Sequence, residues 1–253
     1  MFSFNSDPLQ EEKYTIFSGL VHKHRDRILV ELNFTCPVVC EFCTRKRKGI
    51  NKNEFDLSIN DWIKIEKYIK KKPEIREVIL SGGEPLLNEE KLIKILERIK
   101  NIKQIKIVRI HTRLPITGPN KITKKLLAYF EKETPKRVIY MSIHCDFKKE
   151  LTSGAKECIL KLRQSGLILY SQSVFLKGVN DSVKELKELF EALLELGVRP
   201  YYLYHCDKIE GWKKFRVSLL KEKRLIRNLN KQISGLACPI LVVDSKKGKK
   251  RIF

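Results

Sequence analysis

Residues 76–110 read REVILSGGEPLLNEEKLIKILERIKNIKQIKIVRI, one complete strand–helix–strand unit. Residues 76–80 form a short apolar run suited to a buried strand, and 105–110 form a second. Between them, Asn88 stands where a helix N-cap belongs, and 88–101 carry a helical apolar period. A strand, a helix and a strand in this order imply a parallel pair joined by a right-handed crossover. Working outward, strands are expected at 27–33, 136–143, 167–174, 199–205 and, briefly, 239–244. Helices are expected at 58–72, 120–133, 153–165, 181–197 and 217–233. Ser58 serves as cap for the first of these, with Trp62, Ile65 and Ile69 on one stripe. Asp181 is the expected cap of helix 181–197, and Gly197 its stop. Six βα units and a closing strand predict an α/β fold, a partial (β/α)6 TIM-type barrel of parallel strands with outer helices. Residues 1–26 are set apart as an N-terminal extension, 27–244 as the barrel, and 245–253 as a basic C-terminal tail.

The chain has 253 residues, a length that one large α/β domain accommodates. It carries 52 Lys and Arg against 30 Asp and Glu, a formal charge of +22. That charge fits either an acidic partner such as a nucleic acid or Lys-rich solvated helix faces. Lys70, Lys71 and Lys72, for example, sit at an expected helix end, where cations suit the dipole. No nucleic-acid-binding motif accompanies the charge, so the second reading is preferred. No long apolar run suggests a membrane span, and no secretory leader is evident at the N-terminus, so a cytoplasmic location is expected.

Seven cysteines do not form a disulfide framework: four are scattered and three cluster as Cys36-Pro-Val-Val-Cys40-Glu-Phe-Cys43 after the first expected strand. Thiolates are the ligands of iron–sulfur clusters, and three of them leave one iron of a cubane open to a small molecule. A zinc site lacking a ligand and three adventitious cysteines are the alternatives, although no fourth Cys or His follows at ordinary spacing. Ser81-Gly82-Gly83-Glu84-Pro85 follows the second expected strand, and its glycines permit close backbone approach to a ligand. Alone it is an ordinary βα turn. Both motifs fall at the C-terminal ends of strands, where functional residues of such folds collect.

Together the two motifs resemble the radical S-adenosylmethionine (SAM) superfamily. Five further blocks resemble the lysine 2,3-aminomutase family: Cys43-Thr44-Arg45-Lys46-Arg47, Arg109 to Pro115, Ser171 to Asp181, Pro200 to Gly211, and Ser234 to Asp244. This resemblance implies an isomerase that moves the 2-amino group of L-lysine to C3, giving β-lysine, through a 5′-deoxyadenosyl radical. It implies a 4Fe–4S cluster on Cys36, Cys40 and Cys43, SAM at Gly82, Gly83, Glu84 and Pro85, and pyridoxal 5′-phosphate (PLP). It also implies a one-electron reductant such as flavodoxin or ferredoxin, and a branch of the family supplies β-lysine for modifying elongation factor P.

The resemblance assigns further roles residue by residue. Arg45 matches the arginine for the substrate carboxylate, whose planar fork suits bidentate pairing. Asp207 and Asp244 match the two carboxylates that receive the lysine ε-ammonium. Lys23 and Arg27 match arginines around the PLP phosphate, and His144 and Gln172 match further residues of that pocket. The covalent PLP lysine falls in the tail, at Lys250 or, as second choice, Lys249. Taken singly, Arg45 reads as a solvated member of a basic run, each Asp as a cap, His144 as a satisfied strand-end histidine, and the lysines as a basic tail. Segments that flank the barrel in the family have no counterpart here, which leaves the oligomeric state open. A relative that has lost PLP and acts on another amine, on RNA or on protein is the alternative reading.

Overall fold

The structure is a computed structural model that describes residues 7, 10–52, 54–135, 138–207, 209, 211–245 and 248–252. Most of residues 1–9, Glu210 of the fourth matched block, and Lys246, Lys247 and Phe253 of the tail lie outside the described residues.

Ten strands form one sheet in sequence order. They are β1 (Thr15–Phe17), β2 (Leu20–His24), β3 (Arg27–Glu31), β4 (Glu77–Ser81), β5 (Ile107–Thr112), β6 (Ile139–His144), β7 (Ile168–Val174), β8 (Arg199–Tyr204), β9 (Ile240–Ser245) and β10 (Gly248–Arg251). From β3 to β9 every pairing is parallel, giving the expected six βα units and closing strand. The helices are α1 (Ile59–Lys70), α2 (Glu89–Lys100), the single turn α3 (Leu114–Thr117), α4 (Lys124–Glu133), α5 (Ser153–Gln164), α6 (Val183–Glu195) and α7 (Leu219–Leu229).

Alternation along the strands divides two environments. Ile28 and Val30 of β3, Val78 and Leu80 of β4, and Val108 and Ile110 of β5 are buried in one core with Trp62, Ile65 and Ile69 of α1 and Leu92, Ile95 and Leu96 of α2. The intervening positions, such as Arg27, Ile79, Arg109, His111 and Tyr140, line an interior cavity instead. Ser58 caps α1 in a reciprocal capping box with Asp61, and Asn88 caps α2, as their side-chain types predict.

Three features differ from the expectation. Ser182, not Asp181, caps α6: Asp181 instead accepts from the Gly178 N–H and pairs with Lys221. Residues 15–24 are not an appendage, because β2 pairs antiparallel with β3. The tail folds back as β10, antiparallel to β9, with Lys249 opposite Asp244 and Lys250 opposite Val243. The first and last parts of the sheet touch: Lys23 Nζ of β2 donates to the Ser245 carbonyl of β9 at 3.0 Å.

Candidate active site

The cysteine loop leaves β3 and is closed at its base by backbone bonds from Phe34 to Phe55 and from Leu57 to Leu32. Asn51, in a left-handed conformation (φ 59°), clasps Cys36 from both sides: its Oδ1 accepts from the Cys36 N–H at 2.8 Å and its Nδ2 donates to the Cys36 carbonyl at 2.9 Å. Burial, then Glu84 and the other two thiols, push Cys36 up to about 12, and burial raises Cys40 as well. Thiolates here therefore call for a cation, as metal coordination supplies. Arg113, from the end of β5, donates to Cys40 Sγ and pairs with Glu150. Among the described residues no three Cys, His, Asp or Glu side chains form a group that could hold a single metal ion.

The glycine motif after β4 lies against this loop. The Gly83 N–H donates to the Asn33 carbonyl at 2.6 Å and the Glu84 N–H to the Thr35 carbonyl at 2.8 Å. A Cβ at Gly82 would stand 2.6 Å from the Asn33 carbonyl oxygen, and one at Gly83 2.4 Å from that of Thr35. The close approach that requires glycine is thus to the protein's own cysteine loop. The Glu84 carboxylate accepts from the Thr112 hydroxyl and from the N–H groups of Leu86, Arg113 and Leu114. Pro85 is buried at the start of the turn that follows.

Arg45 does not project free. Its Nε lies 3.3 Å from Glu31 Oε1 and its NH2 3.7 Å from Glu11 Oε1, so two buried carboxylates already balance it. A substrate carboxylate would have to share this guanidinium.

Below the loop, the barrel encloses a cavity of 790 Å³. Lys23 and Arg27 line it from the β2–β3 side, and Asp244 and Lys249 from the β9–β10 side. Lys249 Nζ lies 3.6 Å from Asp244 Oδ1 and sits over the rings of Tyr202 and Tyr204, 5.6 and 5.2 Å from their centres. Its side chain keeps 38% of its surface. Partial desolvation lowers its pKa, opposed by Asp244 and aided by Arg109 and Arg27. Lys250 is one residue further along an extended strand, so it faces the other way and does not line the cavity. Burial and the Asp244 carboxylate push Asp207 up to about 6, and His205, Arg216 and Lys249 work against that rise.

His144 and Gln172 are register partners on β6 and β7, but neither lines the cavity. His144 Nε2 lies 2.9 Å from Asp146 Oδ2 and its ring 5.7 Å from that of Phe42, so it faces the cysteine loop. Sequence reasoning assigned no role to Arg109 or His111. Arg109 is paired with Glu77, whereas His111 Nε2 is buried in the cavity wall with no hydrogen-bond partner. Burial and the nearby cations Arg109, Lys249 and Arg45 hold His111 well below its usual range, so it is neutral. Their signal was available: polar residues alternating with Val108 and Ile110 on a barrel strand face inward.

Comparison with known proteins bears on this arrangement. The family model of the radical SAM superfamily matches residues 30–193. The L-lysine 2,3-aminomutase of Methanococcus maripaludis is 38% identical over 97% of this chain and 56% of its own length. That of Buchnera aphidicola is 35% identical over 99% of this chain and 73% of its own. The chain thus spans from about half to three-quarters of the length of the curated relatives it matches. A radical SAM methyltransferase from Sphaerobacter thermophilus shares the fold, with a TM-score of 0.59 at 14% identity, over 91% of this chain and 72% of that one. A 4Fe–4S cluster and SAM come with the superfamily. The chain belongs to the radical SAM superfamily and, within it, to the lysine 2,3-aminomutase family.

Proposed function

We propose that this chain carries the active site of a PLP-dependent radical SAM aminomutase that shifts the 2-amino group of lysine to C3. The observation that carries the reading is Lys249: an amine of lowered pKa, beside Asp244, in a cavity that Lys23 and Arg27 also line. An amine nucleophile must be neutral to react, and desolvation favours that form.

The residues fit the cofactor. Lys23 and Arg27 would hold its phosphate, Lys249 would tether it, and the orphaned His111 Nε2 offers a polar contact inside the cavity. PLP would delocalise an unpaired electron during the nitrogen shift, which no side chain offers. Cys36, Cys40 and Cys43 would bind the cluster, with Arg113 hydrogen-bonded to Cys40. Arg45 would orient the substrate carboxylate, and Asp207 and Asp244 its distal ammonium. Lys249 stands at the cation position beside Asp244, and tethering PLP would vacate it.

The test is anaerobic reconstitution with iron, sulfide, SAM, PLP, a reductant and isotopically labelled L-lysine, followed by chiral chromatography with mass detection. Labelled β-lysine is the expected product. SAM cleavage without β-lysine would leave the radical machinery standing and remove lysine as the substrate.

A further inference from the structure

The end of β8 is held by a buried polar chain to which the proposed reaction gives no role. His205 follows Tyr204 and is 7% exposed; Glu222, on the first turn of α7, is fully buried. His205 Nδ1 lies 2.9 and 3.0 Å from the two Glu222 carboxylate oxygens. On the other side of the ring, Arg216 NH2 lies 3.0 Å from His205 Nε2, while Arg216 Nε donates to the Cys206 carbonyl at 3.2 Å. A guanidinium only donates. Nε2 must therefore accept with its lone pair, and the ring proton sits on Nδ1, given to Glu222. Both ring nitrogens are used. The His205 N–H also donates to the Val242 carbonyl of β9 at 2.8 Å.

These bonds end one peptide from Asp207. A buried carboxylate is an expensive way to fasten a helix to a strand, because apolar residues of similar volume do so without desolvating a charge. What the polar chain adds is direction: it fixes the backbone on both sides of Cys206 and leaves a guanidinium close to Asp207.

We propose that Glu222, His205 and Arg216 form a positioning relay that sets the Cys206–Asp207 segment so that the Asp207 carboxylate meets the distal ammonium of the amino-acid substrate. This rests on the reading of Asp207 and Asp244 as the ammonium site. The relay is a specificity device: it serves recognition of the terminal amine and leaves PLP and cluster binding alone.

The full chain, loaded with cluster and PLP but without SAM, tests it. Ligand affinity is read from the change in the absorbance band of bound PLP, using L-lysine and norleucine, which lacks the terminal amine. Arg216, half-buried, tolerates replacement better than Glu222, so Arg216→Met is the first variant. It should bind lysine about tenfold more weakly, the scale of a lost hydrogen bond to a charged group. Norleucine affinity, PLP uptake and iron content should not change. Glu222→Gln keeps an acceptor for Nδ1–H and should bind lysine like the parent protein. Equal weakening of lysine and norleucine by Arg216→Met, or none for either, overturns the relay. An Asp207→Asn variant that binds lysine normally overturns the ammonium site itself, and the relay with it.

Discussion

Gly83→Ala adds one methyl at a place where the protein has no space. The new Cβ would stand 2.4 Å from the Thr35 carbonyl oxygen and 2.6 Å from both Thr35 N and Asn33 Oδ1. Ordinary contact distance is about 3.5 Å, so the Asn33–Thr35 segment must retreat by about 1 Å. Two backbone bonds, Gly83 N–H to Asn33 O and Glu84 N–H to Thr35 O, cross the gap and cannot both survive that retreat. Overpacking costs about 1–3 kcal/mol and each lost bond about 1 kcal/mol, so a loss of about 2–5 kcal/mol is expected. Because Cys36 follows Thr35 directly, iron incorporation should fall as well. The assay is urea unfolding with iron and sulfide content per chain. Gly178→Ala is the control: that glycine has φ +77° but no atom within 4 Å of a new Cβ. Its cost is backbone strain alone, about 1 kcal/mol. If Gly83→Ala were no more destabilising than Gly178→Ala and took up a full complement of iron, the contact with the cysteine loop would not be what requires glycine there.

Lys249→Ala should abolish the absorbance band of covalently held PLP and all β-lysine formation, whereas Lys250→Ala should leave both intact; the reverse pattern would restore Lys250 as the tethering residue. Lysine binding should strengthen as pH rises through about 6, because Asp207 must ionise to attract an ammonium and its pKa is raised to that value. The same raised pKa means that the folded protein holds this proton more tightly than the unfolded chain, so the stability it contributes is present at acid pH and lost as pH rises through about 6. Asp207→Asn should therefore be more stable than the parent protein at neutral pH while binding lysine poorly, as calorimetry would reveal. Arg113→Leu should leave Glu150 and Asp146 short of a cation and cost about 3 kcal/mol in thermal unfolding. It should also make the reconstituted cluster harder to reduce in a potentiometric titration, since a hydrogen bond to a ligand sulfur stabilises the more negative state.

The parallel strands were legible because their outward positions are continuously apolar and their connections carry helical period and caps. Ser58 and Asn88 announced α1 and α2 by side-chain chemistry alone. Asp181 and Ser182 are neighbours of equal capping ability, and the choice between them fell to a tertiary partner, Lys221, that no local pattern reveals. The edge strands were hidden for a different reason. β10 reads Gly-Lys-Lys-Arg and buries no apolar side chain; it is held by its ladder with β9, so neither composition nor period marks it. The preference for Lys250 over Lys249 went with it. In a tail the two lysines are equivalent, and only the twofold alternation of a strand separates the one that faces Tyr202 and Asp244 from the one that faces outward.

The interior of the barrel shows why such a lysine can serve as a nucleophile. Filled barrels of this type place branched apolar side chains at inward positions. Here those positions hold Arg109, His111, Tyr140, Tyr170 and Tyr202, and desolvating them is costly. The charge among them is nonetheless balanced, Arg109 by Glu77, and so is Arg45 of the cysteine loop, by Glu11 and Glu31. Three basic groups lining the cavity are held below their ordinary proton affinity: His24, His111 with its Nε2 unsatisfied, and Lys249 shared loosely with Asp244. Proton affinity is therefore depressed first by burial and further by the neighbouring cations, and converting Glu77 to Gln, which would leave Arg109 less balanced, should lower the pKa of Lys249 further, as the pH dependence of the covalent PLP band would report. A band whose pH profile did not move on that change would mean that desolvation, and not the fixed cations, sets the amine's reactivity.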